Sequence, residues 1–81
     1  MRIKVKFFAA YREAVGIAEA DVDITESSDV SSLLEVVKKD YPAIGALIEP
    51  LIVSVNKEYA SFDTVLKEGD EVALLPPVAG G

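Results

Sequence analysis

One amphipathic segment limits what this chain can fold into. Its apolar residues follow the i, i+3, i+4, i+7 spacing that places them on one face of a helix. These residues are Val30, Leu33, Leu34 and Val37. Asp29 stands at the expected N-cap, and Pro42 ends the helix because proline restricts the backbone of the residue before it. A chain of 81 residues can bury a single core. The apolar face of this helix is therefore expected to pack on one face of a small sheet, formed by the segments around it.

The segments around this helix alternate between apolar and polar residues, as half-buried strands do. The predicted strands are residues 3–8, 19–24, 51–56, 59–60 and 71–75. A short helix over residues 9–15 is expected between the first two strands, because Gly16 suits a left-handed C-terminal cap. Elements in this order predict a two-layer α+β domain, in which a mixed sheet packs on one main helix.

Side chains of the strands and of the main helix are expected to form one core. Its predicted members are Val5, Phe7, Val22, Leu33, Val37, Val53, Val55 and Val72. Strand alternation places other apolar residues on the opposite face of the sheet. These are Phe8, Ile52, Ala73 and Leu75. One helix cannot cover this second face, and a contiguous apolar patch there favours a protein-docking surface.

Charge and composition disfavour several classes of partner and location. The formal net charge is −6 and the sequence pI is about 4.4, which argues against nucleic acids and anionic lipids and favours a basic protein partner. The sequence contains no Cys and no His, so thiolate and imidazole chemistry is not available. No apolar run approaches the ~20 residues of a membrane span, and the N-terminal alternation differs from a signal peptide. A cytoplasmic protein is expected.

Two acidic clusters have the residue type, but not the arrangement, of a metal site. Asp21 and Asp23 share one strand face, and Glu68, Asp70 and Glu71 surround a turn. Neither cluster is accompanied by a third ligand or by a loop with calcium-binding spacing. Both are interpreted as solvated surface charge, and no metal is expected.

The C-terminal segment predicts a tail that leaves the sheet. Pro76 and Pro77 fix φ and remove two backbone donors, so the last strand cannot continue through them. The final two residues are glycines, which allow close approach of a partner or a nucleotide because they lack Cβ. We therefore expect a globular domain over residues 1–75 and a flexible diglycine tail over residues 76–81, with the terminal carboxylate as a functional group.

Two segments resemble a known family. Residues 7–16, FFAAYREAVG, resemble the opening motif of the small, sulfur-carrying subunit of molybdopterin synthase. Residues 66–81, LKEGDEVALLPPVAGG, resemble the C-terminal signature of that family, and Val55-Asn56 also fits. The resemblance implies a β-grasp, ubiquitin-like fold. The chain departs from the family at Leu74-Leu75, where many members have an aromatic residue.

The resemblance implies a sulfur carrier that is not catalytic by itself. Gly81 would be adenylated by a ubiquitin-activating-like adenylyltransferase that uses ATP, and would then become a thiocarboxylate. The carrier would join the large catalytic subunit in a heterotetramer and donate sulfur to cyclic pyranopterin monophosphate, for the dithiolene of the molybdenum cofactor. Phe8 and Leu75 would dock, Gly80 would give access, and no permanently bound cofactor is implied. The residues that would thread the channel are Pro76, Pro77, Val78 and Ala79.

Three other functions are compatible with the residues. The related sulfur carrier of thiamine biosynthesis shares the fold and the diglycine, although the insertion over residues 7–16 argues against it. A ubiquitin-like modifier would attach the same C-terminus to lysines of other proteins. A plain interaction module would use the docking surface alone, which the two consecutive prolines of the tail disfavour.

Overall fold

A mixed β-sheet forms one layer of the molecule and helices form the other, in a computed structural model that describes residues 1–47 and 51–76. In chain order, the elements are β1 (Arg2–Phe7), α1 (Ala9–Val15), β2 (Glu19–Asp23), α2 (Val30–Asp40), α3 (Pro42–Gly45), β3 (Ile52–Val55), β4 (Glu58–Ala60) and β5 (Glu71–Leu75). No helix within the two described ranges has the length and apolar composition to cross a membrane. The α+β class, with a mixed sheet packed on one main helix, α2, is confirmed.

The last strand in the sequence lies in the centre of the sheet. Across the sheet, the strand order is β2-β1-β5-β3-β4. β1 and β5 are parallel, with Val5 opposite Val72, whereas the other neighbouring strands are antiparallel. A parallel pair needs a long crossover connection, and α2 lies in the chain between these two strands. β1 and β5 therefore finish at the same end of the sheet, named the exit end below, and the opposite end is named the turn end.

Both helix boundaries that depend on a capping residue are confirmed. Gly16 has a left-handed conformation (φ 84°), and its N–H donates to the Arg12 carbonyl at 2.8 Å. The Asp29 carboxylate accepts from the Ser32 N–H at 2.9 Å, which satisfies a free amide in the first turn of α2. This hydrogen bond also lowers the pKa of Asp29 below its ordinary value of 3.8. Local chemistry therefore determines where α1 ends and where α2 begins.

The chain continues helically after Pro42, which the sequence pattern did not predict. α2 ends at its C-cap Tyr41, whose N–H donates to the Val37 carbonyl at 2.8 Å. Pro42 then occupies the first turn of the short helix α3, where its missing N–H is not needed. α3 buries Ile44, and Tyr41 packs edge-on against Phe7 with 5.6 Å between the ring centroids. Pro42 therefore ends one helix and begins another.

One hydrophobic core lies between the sheet and the helices. Of the predicted core residues, Val55 alone is half-buried, at the end of β3 where the strand gives way to a turn, and the others are buried. Tyr11 and Ile44 are buried although the pattern did not single them out, because α1 and α3 are too short to show a clear helical period. Burial raises the pKa of the Tyr11 phenol. The buried apolar residues in the described ranges are Ile3, Val5, Phe7, Tyr11, Val22, Ile24, Val30, Leu33, Leu34, Val37, Ile44, Val53, Leu66, Val72 and Leu74.

Polar side chains connect the loops at the turn end. The two-residue loop Asn56-Lys57 joins β3 to β4, and both residues have positive φ, as a tight hairpin loop of this length requires. The Asn56 amide donates to the Asp70 carboxylate at 3.0 Å and accepts from the Glu71 N–H at 3.0 Å. Asp70 also accepts from the Lys67 N–H at 2.8 Å. The β3–β4 loop and the loop before β5 are thereby held together.

Candidate functional site

The exit end is where the predicted tail begins. Phe7 lies opposite Leu74 in the parallel pair of β1 and β5. Phe8 is still extended (φ −123°, ψ 151°), so it continues β1 by one residue to the level of Leu75. Pro76 is half-buried and directly follows β5. Phe8, Leu75 and the start of the tail are therefore neighbours at one end of the sheet.

The rest of the predicted tail lies outside the described residues. Its members are Pro77, Val78, Ala79, Gly80 and Gly81. The division into a domain over residues 1–75 and a tail over residues 76–81 therefore stays a prediction. The same is true of the roles assigned to the tail: sulfur carriage at Gly81, access at Gly80 and passage through a channel.

The outer face of the sheet, which points away from α2, carries apolar side chains at the exit end. Val53 and Leu74 are buried on the core side. Ile52 and Leu75 lie opposite each other in register and point to the outer face. Phe8 is 42% exposed, whereas Ile52 and Leu75 are half-buried. The predicted strand phase is confirmed, and Phe8, Ile52 and Leu75 are named the exit patch; their docking role stays a prediction.

Tyr59 is a further outer-face residue, which the sequence reasoning missed. Ser54 lies opposite both Ala73 on β5 and Tyr59 on the edge strand β4, so Ala73 and Tyr59 share the face of the exit patch. The Tyr59 side chain is 84% exposed. The length of the Asn56-Lys57 loop could have indicated this position. A two-residue hairpin loop fixes which residues of β3 and β4 pair, and therefore the face on which Tyr59 lies.

Toward the turn end, the outer face is charged instead of apolar. Lys4 Nζ lies 3.2 Å from Glu19 Oε2, and Lys6 Nζ lies 3.4 Å from Glu71 Oε1. The hydrogen bond with Glu19 and the charge of that carboxylate raise the pKa of Lys4. Because these ion pairs are partly exposed, they contribute little to stability. The change from paired charges to apolar side chains marks the boundary of the exit patch.

The acidic clusters noted in the sequence make contacts within the fold. Asp21 lies opposite Lys4, and Asp23 Oδ1 lies 3.4 Å from Arg2 Nε. Glu68 Oε1 accepts from the Arg2 N–H at 3.0 Å. Within residues 1–47 and 51–76, no group of three or more His, Cys, Asp or Glu residues is placed to hold a metal ion. These carboxylates therefore take part in strand pairing and in turns.

Comparison with solved structures identifies the fold. The crystal structure of small archaeal modifier protein 1 from Haloferax volcanii has a TM-score of 0.90 and 27% identity, and the similarity covers 95% of this chain and 98% of that one. A protein-protein complex of subunits 1 and 2 of the molybdopterin-converting factor from Helicobacter pylori has a TM-score of 0.71 at 23% identity, with complete coverage of both chains. The second similarity concerns the fold alone. Together they confirm the β-grasp, ubiquitin-like fold.

Comparison with known sequences identifies the family. The chain matches the ThiS family over residues 5–81. It is 40% identical over 81 residues to the molybdopterin synthase sulfur carrier subunit of Escherichia coli (strain K12), which covers 98% of this chain and 99% of that protein. The family match and the full-length similarity agree with the resemblance carried by residues 7–16 and 66–81. This chain belongs to the ThiS family.

Proposed function

We propose that this chain is the sulfur carrier subunit of a molybdopterin synthase, in the biosynthesis of the molybdenum cofactor. The observation that carries the proposal is its full-length similarity to a carrier subunit of that name, together with a family match that extends to Gly81. The sulfur is held on the carboxylate of Gly81, and Gly80 gives access to it. The carrier supplies the reacting group, and its protein partners catalyse the steps.

The first step activates the Gly81 carboxylate. Its oxygen attacks the α-phosphate of ATP on a ubiquitin-activating-like adenylyltransferase, so pyrophosphate leaves and an acyl adenylate forms. A sulfur donor at the oxidation level of hydrosulfide then displaces AMP and leaves a thiocarboxylate. ATP is bound and consumed by the activating enzyme, so the carrier itself needs no resident cofactor.

The second step transfers the sulfur to cyclic pyranopterin monophosphate in the large catalytic subunit. The thiocarboxylate sulfur acts as a nucleophile on an electrophilic carbon of the pterin and displaces an oxygen substituent. Water then cleaves the resulting thioester, which leaves the sulfur on the pterin and regenerates the Gly81 carboxylate. Each carrier delivers one sulfur, so one dithiolene consumes two loaded carriers.

The exit patch is the proposed docking surface for the large subunit. Phe8 and Leu75 are its anchors, and Ile52 and Tyr59 extend the apolar area on the same face. A few buried apolar anchors supply most of the binding energy in protein interfaces. The Helicobacter pylori protein of the same fold is known in a complex of subunits 1 and 2, which supports a carrier–synthase assembly. With a dimeric large subunit, that assembly is a heterotetramer.

The proposed tail separates the docking surface from the chemistry. A polyproline-like backbone advances about 3.1 Å per residue, so a five-residue tail in that conformation would span roughly 15 Å. Pro76 and Pro77 keep this segment out of the β-ladder because they lack the N–H donors that pairing needs. Glycines at positions 80 and 81 make the end of the tail narrow. Docking at the exit patch then places the Gly81 carboxylate in a pocket of the partner.

Intact mass tests the proposal directly. The chain is purified from cells that contain its activating enzyme, and its mass is compared with that of a Gly81-deleted variant from the same cells. A mass increase equal to the replacement of one oxygen by sulfur, confined to the chain that retains Gly81, is the expected result. If the parent chain has only the carboxylate mass under conditions that load the Escherichia coli carrier, the sulfur-carrier proposal is wrong.

A protein modifier is the second candidate, favoured by the similarity to small archaeal modifier protein 1. Activation of the Gly81 carboxylate is common to both functions. In a modifier, the acyl group passes to a lysine amine, and an isopeptide bond replaces the thiocarboxylate. Tryptic digestion of the total protein separates the two candidates, because a conjugated lysine keeps residues derived from this C-terminus. Such branched peptides, without any thiocarboxylate, would favour the modifier.

A further inference from the structure

The junction between β1 and α1 departs from two local rules at adjacent residues. Phe8 is the N-cap of α1 and provides no side-chain hydrogen bond to the first turn, although polar residues are strongly preferred at that position. Ala9, the next residue, has a left-handed conformation with φ 51°, which is unfavourable for a residue with a Cβ. Asp29, in contrast, caps α2 through its carboxylate. The junction is therefore not arranged for the stability of α1.

The geometry of the junction explains why a sharp turn is needed. Phe8 is extended and belongs to the outer face of the sheet, whereas α1 packs on the core side through the buried Tyr11. The carbonyl of Phe8 already accepts from the Tyr11 N–H at 3.1 Å. The chain must therefore pass from an outward-facing strand residue to an inward-facing helix within one residue, Ala9. No hairpin loop requires positive φ here, in contrast to Asn56-Lys57.

We infer that Ala9 is a positioning residue for docking, and that its left-handed backbone holds the Phe8 ring on the outer face beside Leu75. The inference rests on the proposed function, because it assumes that Phe8 anchors the large subunit. Ala9 is itself exposed and is not one of the buried core residues. Substitutions of Ala9 therefore test backbone conformation and not packing.

Two substitutions of similar size at Ala9 separate conformation from bulk. Asn tolerates the left-handed region, whereas the β-branched side chain of Val disfavours it strongly. We expect Ala9→Val to weaken binding of the large synthase subunit roughly tenfold, since a displaced anchor loses a large part of its contribution. Ala9→Asn should bind the large subunit with an affinity within about twofold of that of the parent chain, because asparagine tolerates the left-handed conformation. Affinity is measured well below the Tm of every variant, so that all chains are folded.

Ala10→Val is the matched control. Ala10 is also exposed and also lies within α1, but it has no positive φ. Ala10→Val adds the same atoms as Ala9→Val, one residue further along the chain. Its affinity for the large subunit should therefore stay within about twofold of that of the parent chain. A tenfold loss in Ala9→Val, with normal binding of Ala9→Asn and Ala10→Val, supports a positioning role. A purely structural role for Ala9 would change the Tm and leave the affinity of the folded chain unchanged.

Two results would overturn the inference. Normal binding by Ala9→Val would mean that the conformation of Ala9 does not orient Phe8, and equal losses in Ala9→Asn and Ala9→Val would assign the effect to bulk. Leu75→Lys, measured in parallel, distinguishes this failure from that of the proposed function. If Leu75→Lys weakens binding and Ala9→Val does not, only the role of Ala9 is wrong. If Leu75→Lys also binds normally, the docking surface and the role of Ala9 are both wrong.

Discussion

The two ends of the sheet are built differently. At the turn end, hydrogen bonds through Asn56 and Asp70 join the β3–β4 loop to the loop before β5. The two residues of the β3–β4 hairpin loop have positive φ, as a loop of that length requires. At the exit end, Phe8 is exposed, α1 lacks a side-chain cap, and Ala9 is left-handed without a hairpin to require it. Hydrogen bonds between loops hold the turn end together, whereas the exit end presents the exit patch, which a second protein can bury.

This difference indicates which residues serve the fold and which serve a partner. Departures from local preferences are expected to concentrate where function requires them, because the rest of the sequence favours the fold consistently. Substitutions at the turn end should therefore change stability and leave docking unchanged. Substitutions at the exit end should do the reverse, and the experiments below test this separation.

The largest effect is expected from changes at Gly81. Deletion withdraws the proposed reacting carboxylate by about 3 Å, and a displacement of ~1 Å can already reduce a rate by ~100-fold, so sulfur transfer should be lost. Extension by one residue replaces the carboxylate with a peptide bond that cannot be adenylated. Neither change should lower the Tm, because residues beyond the last strand contribute little to stability. The assay is pterin product formed per carrier, run beside a thermal melt.

Gly81→Ala is the control for this experiment. It retains the carboxylate and adds a single Cβ, so sulfur transfer should be impaired less than by deletion. Full activity of the extended chain would contradict a role for the Gly81 carboxylate and would favour the plain interaction module.

The next largest effect concerns the core that both ends share. Leu33 on α2 is fully buried, so Leu33→Ala should reduce the free energy of unfolding by about 2–5 kcal/mol. That is a large fraction of the roughly 5–15 kcal/mol that stabilises a small domain. Urea unfolding of the two chains measures the difference. Leu66 in the loop before β5 is also buried, so Leu66→Ala provides a comparison outside the helix. An unchanged midpoint of urea unfolding for Leu33→Ala would contradict the assigned core.

A charged substitution should weaken docking of the large subunit at the exit end of the sheet and not elsewhere. Leu75→Lys places a charge in the exit patch and should weaken binding of the large subunit by roughly 30-fold, as loss of an interface anchor does. Val65 lies in the loop before β5 and is 59% exposed, so Val65→Lys is the same kind of change away from the exit patch. Its affinity should stay within about twofold of the parent. Equal losses in both variants would remove the distinction between the two surfaces.

A smaller effect, on stability alone, is expected at the turn end. Asn56→Ala removes the hydrogen bonds to Asp70 and to the Glu71 N–H, and should reduce the free energy of unfolding by about 1–2 kcal/mol. Binding of the large subunit should not change. Lys57→Gly is the control, because glycine suits the positive φ of this loop and should not reduce stability. A loss of binding in Asn56→Ala would mean that the turn end contributes to docking.

The smallest effect is a pH dependence of stability at Asp29. Its hydrogen bond to the Ser32 N–H holds the folded-state pKa below the ordinary value of 3.8. The carboxylate therefore contributes stability above its unfolded pKa, and this contribution is lost as the pH falls through the folded pKa. Asp29→Asn keeps a capping side chain that does not titrate. The stability difference between parent and variant should shrink below about pH 4, and a difference independent of pH would contradict this cause.

Local features could be predicted from the sequence because their causes are local. Gly16 and Asp29 mark helix ends through their own backbone preference and side chain, and the alternation along residues 3–8 and 71–75 determines which side chains face the core. This alternation also placed Phe8 and Leu75 on the outer face. The alternation along residues 51–56 placed Ile52 there as well, so all three residues of the exit patch could be assigned before any strand pairing was known.

The remaining features depend on contacts between distant residues. Nothing near β5 in the sequence shows that it pairs with both β1 and β3 in the centre of the sheet. Tyr11 is buried because the helix α1 packs on the sheet, and Tyr59 is exposed because β4 lies at the edge. The left-handed conformation of Ala9 follows from the angle between β1 and α1, which alanine itself does not favour.

The central position of β5 also determines when the carrier can fold during synthesis. β1, made first, finds its parallel partner only when β5 has emerged from the ribosome, so the contact of longest sequence separation completes the sheet. Before that moment, β1 can pair with β2 but nothing joins β1 to β3. Pro76 follows β5 directly, so the chain beyond it is made only after β1 to β5.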